Sequence, residues 1–394
     1  MKILIYCEYF APLVGGVQTA VHLLAGGLLQ LRAQEGGVHQ RAADVSVATM
    51  TPANGMDDSA LPYGVIREPG LVRVFQLIRD ADVIHLAGPC LLPLLLTWLL
   101  RKPLVIEHHT YQAICPNGQL LFQPQQTACS GHFMERRYGE CLQCCTQTMG
   151  WVASIRALIL MFPRRWLSKR ADANVGVTNH VGARLMLPRT QAIYHGIDVT
   201  PPTSNSDVLR ASKALEVGFV GRLVAEKGLP LLLEAAKRLR DDGTSFRLTF
   251  IGDGPERAQL EKLTDRFDLR SLVTFTGEMR GVEFKRAVSD IDVVAIPSVM
   301  EETAGLSAIE HMMRGRVVIA ADIGGLGEVV GDAGLKFPPH DSVALFSRLQ
   351  QVAGNREEAA RLGRAARERA ETTFALCRMV EEHFRLYRKL VAAE

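Results

Sequence analysis

Two cations follow an apolar run in the second half of the chain, in V-G-F-V-G-R-L-V-A-E-K-G at residues 217–228. The apolar run is typical of a buried strand. We therefore expect Arg222 and Lys227 at the carboxyl end of that strand, where open α/β sheets bind their ligands. Arginine offers a forked set of donors and lysine a point charge, a pair that can hold a bridging diphosphate. An ordinary pair of solvated loop cations is the alternative.

Two glutamates are separated by seven residues in P-S-V-M-E-E-T-A-G-L-S-A-I-E, residues 297–310. The pattern predicts a helix from Gly305 to Met313, with Glu302 in the loop before it and Glu310 about two turns inside. Free amides at the helix start, near Gly305 and Leu306, suit a phosphate. The carboxylates can accept hydrogen bonds from ribose and sugar hydroxyls. Two surface carboxylates on an exposed helix are the alternative.

These two motifs belong to a set of six. They are Gly15-Gly16, I-Y-H-G-I-D at 193–198, G-R-L-x-x-E-K-G at 221–228, G-D-G-P at 252–255, E-x7-E at 302–310 and G-G-L-G-E at 324–328. As a set, from Met1 to about residue 370, they resemble the retaining, nucleotide-sugar-dependent glycosyltransferases of family 4. That resemblance implies the GT-B fold, with two Rossmann-like α/β domains whose parallel sheets face each other across a cleft.

The resemblance also implies roles for the matching residues. Arg222 and Lys227 would hold the diphosphate, Glu310 the ribose and Glu302 the hydroxyls of the donor sugar. His109 stands in the place of the active-centre histidine of the amino-terminal domain. The remaining donor-binding positions would be Gly16, Gly221, Gly252, Gly254, Gly305 and Leu306. No cofactor is required for catalysis in the resembled fold.

Two residues depart from the family pattern. Ala304 stands where an aromatic residue is usual before the glycine of the E-x7-E loop, which should enlarge the donor pocket or change its floor. Thr110 follows His109 where aspartate is common, which leaves the partner of His109 open. His195 stands where asparagine is common, and the sequence assigns it no chemistry.

Composition agrees with a two-domain globular protein. The chain has 394 residues, of which 47% are hydrophobic and 22% charged, enough for two cores. The net charge of +3 is too small to indicate a nucleic-acid partner. The longest apolar stretch, Leu91 to Leu100, is too short to span a bilayer. The start K-I-L-I-Y-C is typical of a first strand rather than a signal peptide, so we expect a cytoplasmic protein.

Alternating apolar strands and helical stretches predict parallel βαβ units. The predicted strands are Lys2–Cys7, Val45–Ala48, Val83–Leu86, Leu104–His108 and Ala173–Val177, then one from Val217, Leu248–Ile251, Leu272–Thr276, Asp292–Ile296 and Val317–Ala320. The predicted organisation is an acceptor-side domain at 1–197, a polar, proline-containing linker at 198–213, a nucleotide-sugar-binding domain at 214–371, and a helix at 372–394 that packs back on the first domain.

A cysteine-rich segment follows His109. Five of the eight cysteines lie between Cys115 and Cys145, and a subset of the resembled family carries such an insertion here. The spacing C-x13-C-x11-C-x2-C supplies four thiolates, enough for a structural zinc ion or an iron–sulfur cluster. The candidate ligands are Cys115, Cys129, Cys141 and Cys144, with Cys145 and His132 as spares. An ordered loop with unligated thiols is the alternative.

The stretch from Trp151 to Arg170 combines aromatic and aliphatic residues with several cations and no acidic residue. It can lie on an anionic membrane surface, which would suit a lipid-linked acceptor and a peripheral place on the inner face of a membrane. A core-facing helix ended by Pro163 is the alternative.

Taken together, the sequence predicts a retaining glycosyltransferase of hexosyltransferase type. The donor would be a nucleotide diphosphate sugar, with UDP- or GDP-sugars first, and the acceptor a saccharide or lipid-linked hydroxyl in polysaccharide or glycolipid assembly. A sugar-nucleotide 2-epimerase-like enzyme and a catalytically silent GT-B binding subunit are the alternatives. A dinucleotide-dependent oxidoreductase fits worst, because G-G-V-Q-T-A is not G-x-G-x-x-G.

Overall fold

The computed structural model describes residues 1–13, 15–35, 38–41, 43–199 and 214–393. The chain divides into two compact units. One comprises Met1–Pro124, Cys129–Asp198 and Phe374–Glu394, and the other Gln125–Ala128 and Val199–Thr373. Nearly all of the predicted linker, residues 200–213, lies outside the described residues.

The first unit is built on a parallel sheet. Strands in this part of the chain are β1 (Lys2–Cys7), β2 (Arg32–Glu35), β3 (Val38–Arg41), β4 (Asp44–Thr49), β5 (Gly64–Arg67), β6 (Val83–Ala87), β7 (Leu104–His108), β8 (Leu121–Phe122), β9 (Thr127–Ala128), β10 (Ala173–Gly176) and β11 (Thr190–Ala192). Seven of them form the sheet, in the order β11-β10-β7-β6-β1-β4-β5. The order reverses at β1, as it does in doubly wound α/β folds.

Helices cover both faces of this sheet. They are α1 (Gly16–Gln30), α2 (Leu71–Asp80), α3 (Leu91–Leu99), α4 (Tyr138–Met149), α5 (Trp151–Ser168) and α6 (Asn179–Leu185). Alternate residues of β1 point to opposite faces. Ile3 and Ile5 therefore join one apolar cluster with Leu24 of α1, while Leu4 and Tyr6 join another with α2 and α3. A sheet buried on both faces explains why its central strands read as continuous apolar runs.

The second unit repeats this design. Its strands are β12 (Leu215–Val220), β13 (Phe246–Ile251), β14 (Val273–Gly277), β15 (Val293–Ile296), β16 (Val317–Ala321) and β17 (Leu335–Phe337). Its helices are α7 (Leu229–Asp241), α8 (Arg257–Arg266), α9 (Gly281–Ser289), α10 (Leu306–Met313), α11 (Gly324–Val330), α12 (Ser342–Gly354) and α13 (Arg356–Thr373). The parallel sheet has the order β14-β13-β12-β15-β16-β17.

The last helix, α14 (Leu376–Val391), belongs to the first unit. Val380 and Tyr387 are buried in the same apolar cluster as α1. A Cβ atom on Gly27 would lie 2.4 Å from Val380 Cγ2, so the glycine lets α1 and α14 approach closely. The amide of Leu376 also donates to the carbonyl of Ile197, 2.9 Å away.

All ten predicted strands are present, with starts and ends within two residues of those predicted. Among the strands of the two large parallel sheets, the sequence missed β5, β11 and β17, which all lie at sheet edges. Edge strands are only partly buried, so their sequences, such as T-Q-A in β11, lack a continuous apolar run.

The α5 region requires one correction. The helix does not end at Pro163 but continues to Ser168. It is not core-facing along its length either, since Trp151, Ile159 and Phe162 are 67%, 60% and 51% exposed. Among the described residues, no helix combines the length and apolar character needed to cross a bilayer.

Candidate functional site

The two charged motifs of the second unit meet at the centre of its sheet. The strand order reverses between β12 and β15, the topological switch point at which open α/β sheets bind ligands. The loop 221–228 leaves the carboxyl end of β12, and the loop 297–305 leaves that of β15. The amide of Val299 donates to the carbonyl of Glu226 at 3.0 Å, which ties the two loops together.

A nearly buried ion pair joins the same two loops. Lys227 Nζ lies 2.8 Å from Glu302 Oε1, and the hydroxyl of Ser298 donates to that same oxygen. Burial would raise the pKa of Glu302, but Lys227 and then Ser298 outweigh it and lower that pKa below its ordinary value. Glu302 is therefore an ionised carboxylate at neutral pH although it is only 8% exposed.

Arg222 and Glu310, the other charged residues of these two motifs, differ in their exposure. The side chain of Arg222 is 74% exposed, and its guanidinium lies 3.8 Å from Glu226. Glu310 lies in the second turn of α10, one turn nearer its start than predicted, and is half-buried. Burial raises the pKa of Glu310, and Arg314 lowers it by less. An exposed guanidinium is available to an anion, and a half-buried carboxylate to a hydroxyl.

The start of α10 is shaped by a glycine. Gly305 has φ 62°, in the left-handed region, and is followed by Leu306 as the first helical residue. A Cβ atom on Gly305 would lie 2.7 Å from Leu326 Cδ1. The G-G-L-G-E motif also holds the loop before α10 in place, because the amide of Gly325 donates to the carbonyl of Glu302 at 2.7 Å.

The glycines of the G-D-G-P motif pack against the loop that carries Arg222. A Cβ atom on Gly252 would lie 2.1 Å from the carbonyl oxygen of Gly221, and one on Gly254 would lie 2.3 Å from that of Leu223. Amides of the Arg222 loop also bond to the G-D-G-P strand end, with Leu223 donating to Asp253 at 2.9 Å. These glycines therefore hold the two loops at a fixed separation.

His109 lies in the first unit, directly after β7, within a buried polar cluster. Its Nε2 atom is 3.1 Å from Glu107 Oε2, and its Nδ1 atom is 3.0 Å from His195 Nε2. Burial would raise the pKa of Glu107, but His109 and His383 lower it well below its ordinary value. Burial lowers the pKa of His195 to about 3, so that ring is neutral.

The cluster extends on the other side of Glu107. His85 Nε2 is 3.1 Å from Glu107 Oε2, and its Nδ1 atom is 2.7 Å from the hydroxyl of Tyr387. His383 Nε2 lies 3.6 Å from Glu107 Oε1. Two three-residue sets here place their ligand atoms within 4.8 Å of one another, and both include Glu107. Because both nitrogens of His85 are hydrogen-bonded, we interpret the cluster as a proton-bearing network that holds His109.

The remaining residues of interest lie outside these two groups. Gly16 is the first residue of α1, in the first unit. His108 is a core residue with Nε2 2.9 Å from Asn174 Oδ1, and burial lowers its pKa to about 4. Cys115, Cys129, Cys141 and Cys144 all line one void, together with Cys145 and His132.

Sequence reasoning missed Ser298 and Glu107 as site residues, and it gave His195 no role. Ser298 had a usable signal, because it stands at the carboxyl end of a strand beside the E-x7-E loop. A glutamate inside the apolar run L-V-I-E-H was a signal for Glu107, since a buried charge must be paired. The contacts of Glu107 with His85 and His383 join residues far apart in the chain, which no local pattern reports.

Three comparisons with known proteins bear on this site. Residues 203–369 match the family model described as "Glycosyl transferases group 1". The chain is 32% identical over 201 residues to the 2-deoxystreptamine glucosyltransferase of Streptomyces kanamyceticus, covering 47% of this chain and 51% of that protein. It is 36% identical over 157 residues to the sulfoquinovosyl transferase SQD2 of Arabidopsis thaliana, covering 39% and 29%. The chain thus spans about half or less of the length of these relatives.

The fold matches a solved structure over its full length. Anabaena Alr3699/HepE in complex with UDP superimposes with a TM-score of 0.73 at 18% identity, covering 99% of this chain and 100% of that one. The same protein has also been solved with UDP-glucose, with a TM-score of 0.71. The chain has the two-unit α/β fold of GT-B glycosyltransferases, as the sequence predicted.

Proposed function

We propose that this chain is a retaining glycosyltransferase that moves a sugar from a nucleotide diphosphate sugar to an acceptor hydroxyl. The Lys227–Glu302 ion pair at the switch point carries the proposal, because it sets a fixed cation beside a fixed carboxylate at the place where α/β sheets bind ligands. The match of residues 203–369 to glycosyl transferases group 1 supports it.

We assign each charged residue a role that its surroundings support. Arg222, exposed, and Lys227, anchored, neutralise the diphosphate as its bond to the sugar breaks. Glu310 accepts hydrogen bonds from the ribose diol. Glu302 is ionised, so it accepts from the hydroxyls of the donor sugar, and the amides of Gly305 and Leu306 donate to the diphosphate.

In the transfer step, the bond between the anomeric carbon and the diphosphate oxygen breaks while the acceptor oxygen bonds to the same face of that carbon. The acceptor proton passes to the leaving phosphate oxygen, so no separate general base is assigned. His109 serves on the acceptor side, with its ring held by Glu107 and His195. UDP-sugars are the first donors to try, since the structural relative HepE binds UDP and UDP-glucose.

The test is release of nucleotide diphosphate and transfer of the sugar, measured with UDP-, GDP- and ADP-sugars and a set of saccharide acceptors. We expect Arg222→Ala, Lys227→Ala and Glu310→Ala to lose most turnover and remain folded. The control is Arg266→Ala on α8, whose side chain is exposed, and it should keep full activity.

Near-normal turnover in all three site variants would overturn the assignment. A change in the sugar of the released product without transfer would favour the epimerase, and no turnover of any donor would favour the silent subunit.

We further propose that the helices α3 and α5 rest on an anionic membrane surface, which would bring the enzyme to a lipid-linked acceptor on the cytoplasmic side. The outward row on α5 is apolar, with Val152 and Ile159 85% and 60% exposed. Trp166 contacts Trp98 of α3 at a ring separation of 5.3 Å, so the two helices form one surface. Such a contiguous apolar patch is unusual on a protein that meets only water.

The charges of this surface fit an anionic membrane. Residues 91–102 and 151–170 contain no acidic residue, and they include Arg101, Arg156 and Arg170 among their cations. The guanidinium of Arg170 lies 3.5 Å from the centroid of the Trp166 ring. We expect co-sedimentation with vesicles rich in phosphatidylglycerol at low salt, and loss of it in Ile159→Asp. Val282→Asp, at another exposed valine, is the control. No sedimentation of the unmodified protein would overturn the membrane proposal.

A further inference from the structure

The cysteine-rich segment brings five thiols into one buried place. Cys115, Cys129, Cys141, Cys144 and Cys145 are each at most 8% exposed, and all five are free of disulfides. They line a single void. The thiols come from a loop, a strand end and helix α4, so the fold converges on this void rather than on a run of neighbouring residues.

Backbone amides donate to two of the sulfurs. The amide of Gln123 lies 3.4 Å from the Cys144 sulfur, and that of Gly131 lies 3.4 Å from the Cys129 sulfur. A thiolate accepts such bonds better than a thiol, and metal-bound cysteine is deprotonated.

The position of Cys141 and Cys144 on helix α4 also suits metal ligands. Cys141 lies in the first turn of α4, whose dipole favours negative charge. Cys144 follows it by three residues, so both sulfurs emerge on one face of the helix. Asn117 bridges two elements, with its Oδ1 atom 2.9 Å from the Cys115 sulfur and its Nδ2 atom 3.5 Å from the Cys144 sulfur.

The spacing of the sulfurs distinguishes a single ion from a larger group. Zinc–sulfur bonds of about 2.3 Å place four tetrahedral sulfurs roughly 3.8 Å apart. Among the described residues, no three cysteine sulfurs lie within 4.8 Å of one another, although two histidine–glutamate sets meet that limit. Thiols that surround a void at wider separation fit a polynuclear centre.

We propose that Cys115, Cys129, Cys141 and Cys144 ligate an iron–sulfur cluster within the first unit. On ligation each thiol releases its proton to solvent and donates a sulfur lone pair to iron, and no cysteine changes its oxidation state. The apolar side chains of Phe133 and Met161, packed with Cys141, shield the cluster from water. Its role is to hold the segments around Cys115 and Cys129 against α4, independently of the donor site in the second unit.

The experiment is iron, zinc and acid-labile sulfide analysis of the full-length protein purified anaerobically. We expect iron and sulfide in matching amounts, with the visible absorbance of a cluster, and less than a tenth of that iron in Cys115→Ser and Cys141→Ser. Cys145→Ser and the exposed Cys377→Ser should keep their iron. Stoichiometric zinc without sulfide, absence of both metals from the unmodified protein, or full iron in Cys115→Ser would each overturn the proposal. The result does not depend on turnover, so it is separate from the fate of the proposed transferase activity.

Discussion

Lys227 and Glu302 form an ion pair of 2.8 Å between the two loops that leave β12 and β15. Their partial burial makes the pair more than a surface contact, because the side chains are only 24% and 10% exposed. The same two side chains are the ones that we assign to the diphosphate and to the donor sugar. Pairing holds both in place before a donor arrives, which reduces the ordering that binding must achieve.

The first prediction distinguishes the role of Lys227 from that of Glu302. Lys227→Met should weaken binding of the nucleoside diphosphate by roughly 10- to 100-fold, since a hydrogen bond to a charged group contributes about 1.5–3 kcal/mol. Glu302→Gln should lower turnover by a similar factor while the nucleoside diphosphate alone still binds. Calorimetric titration with the diphosphate and steady-state rates with the sugar donor measure the two effects. Lys262→Met on the exposed face of α8 is the control, and equal losses of diphosphate affinity in all three variants would refute the division of roles.

The second prediction concerns Glu310. Burial raises the pKa of this carboxyl, so the folded protein binds its proton more tightly than the unfolded chain does. Its contribution to stability therefore falls as pH rises from the unfolded pKa of about 4.3 through the folded pKa. Glu310→Gln should be more stable than the unmodified protein at pH 7 and lose that advantage below about pH 4. Denaturant unfolding at several pH values tests this, and a less stable variant at pH 7 would contradict it.

The third prediction concerns Glu107. Histidine neighbours lower the pKa of this carboxyl, so it stabilises the fold above the unfolded pKa of about 4.3, and that stabilisation is lost as pH falls through the lower folded pKa. Glu107→Gln should cost about 3–5 kcal/mol at pH 7, because it leaves buried histidines without their charged partner. The difference from the unmodified protein should shrink in acid. An unchanged free energy of unfolding at pH 7 would remove Glu107 from the centre of the network.

The fourth prediction tests the loop packing beneath Arg222. Gly252 and Gly243 both have φ in the left-handed half of backbone space, at 135° and 78°. A Cβ atom meets the Gly221 carbonyl oxygen at 2.1 Å in the first case and nothing within 4 Å in the second. Gly243→Ala should therefore cost about 1 kcal/mol of backbone strain, and Gly252→Ala clearly more, with weaker donor binding. Equal melting temperatures for the two variants would show that the close approach of Gly252 to the Gly221 carbonyl does not constrain the loop.

Much of this structure could be predicted from the sequence because central parallel strands are apolar on both faces. Lys2–Cys7 and Leu104–His108 were predicted to the residue. The loops that carry Arg222, Lys227 and Glu302 could be placed as well, because each follows such a strand. The residues that these side chains contact could not be predicted. The contacts of Glu107 with His383 and of Lys227 with Glu302 depend on the packing of elements that lie far apart in the chain, and nothing local encodes it.

Helix α5 illustrates the same limit. Its sequence left two alternatives open, because a row of apolar side chains looks the same whether it faces a core or a membrane. Only the packed structure shows that Trp151, Ile155 and Ile159 are exposed while Met161 and Leu167 are buried.

The most direct test of the central claim is proton NMR of the sugar released when the protein turns over its nucleotide-sugar donor, recorded before the free sugar equilibrates. A retaining transferase that uses water as a slow acceptor releases the same sugar with the anomeric configuration that it had in the donor. We predict that outcome for the unmodified protein, and its loss in Glu310→Gln. Release of the opposite anomer, or of a sugar altered at C2, would contradict the account.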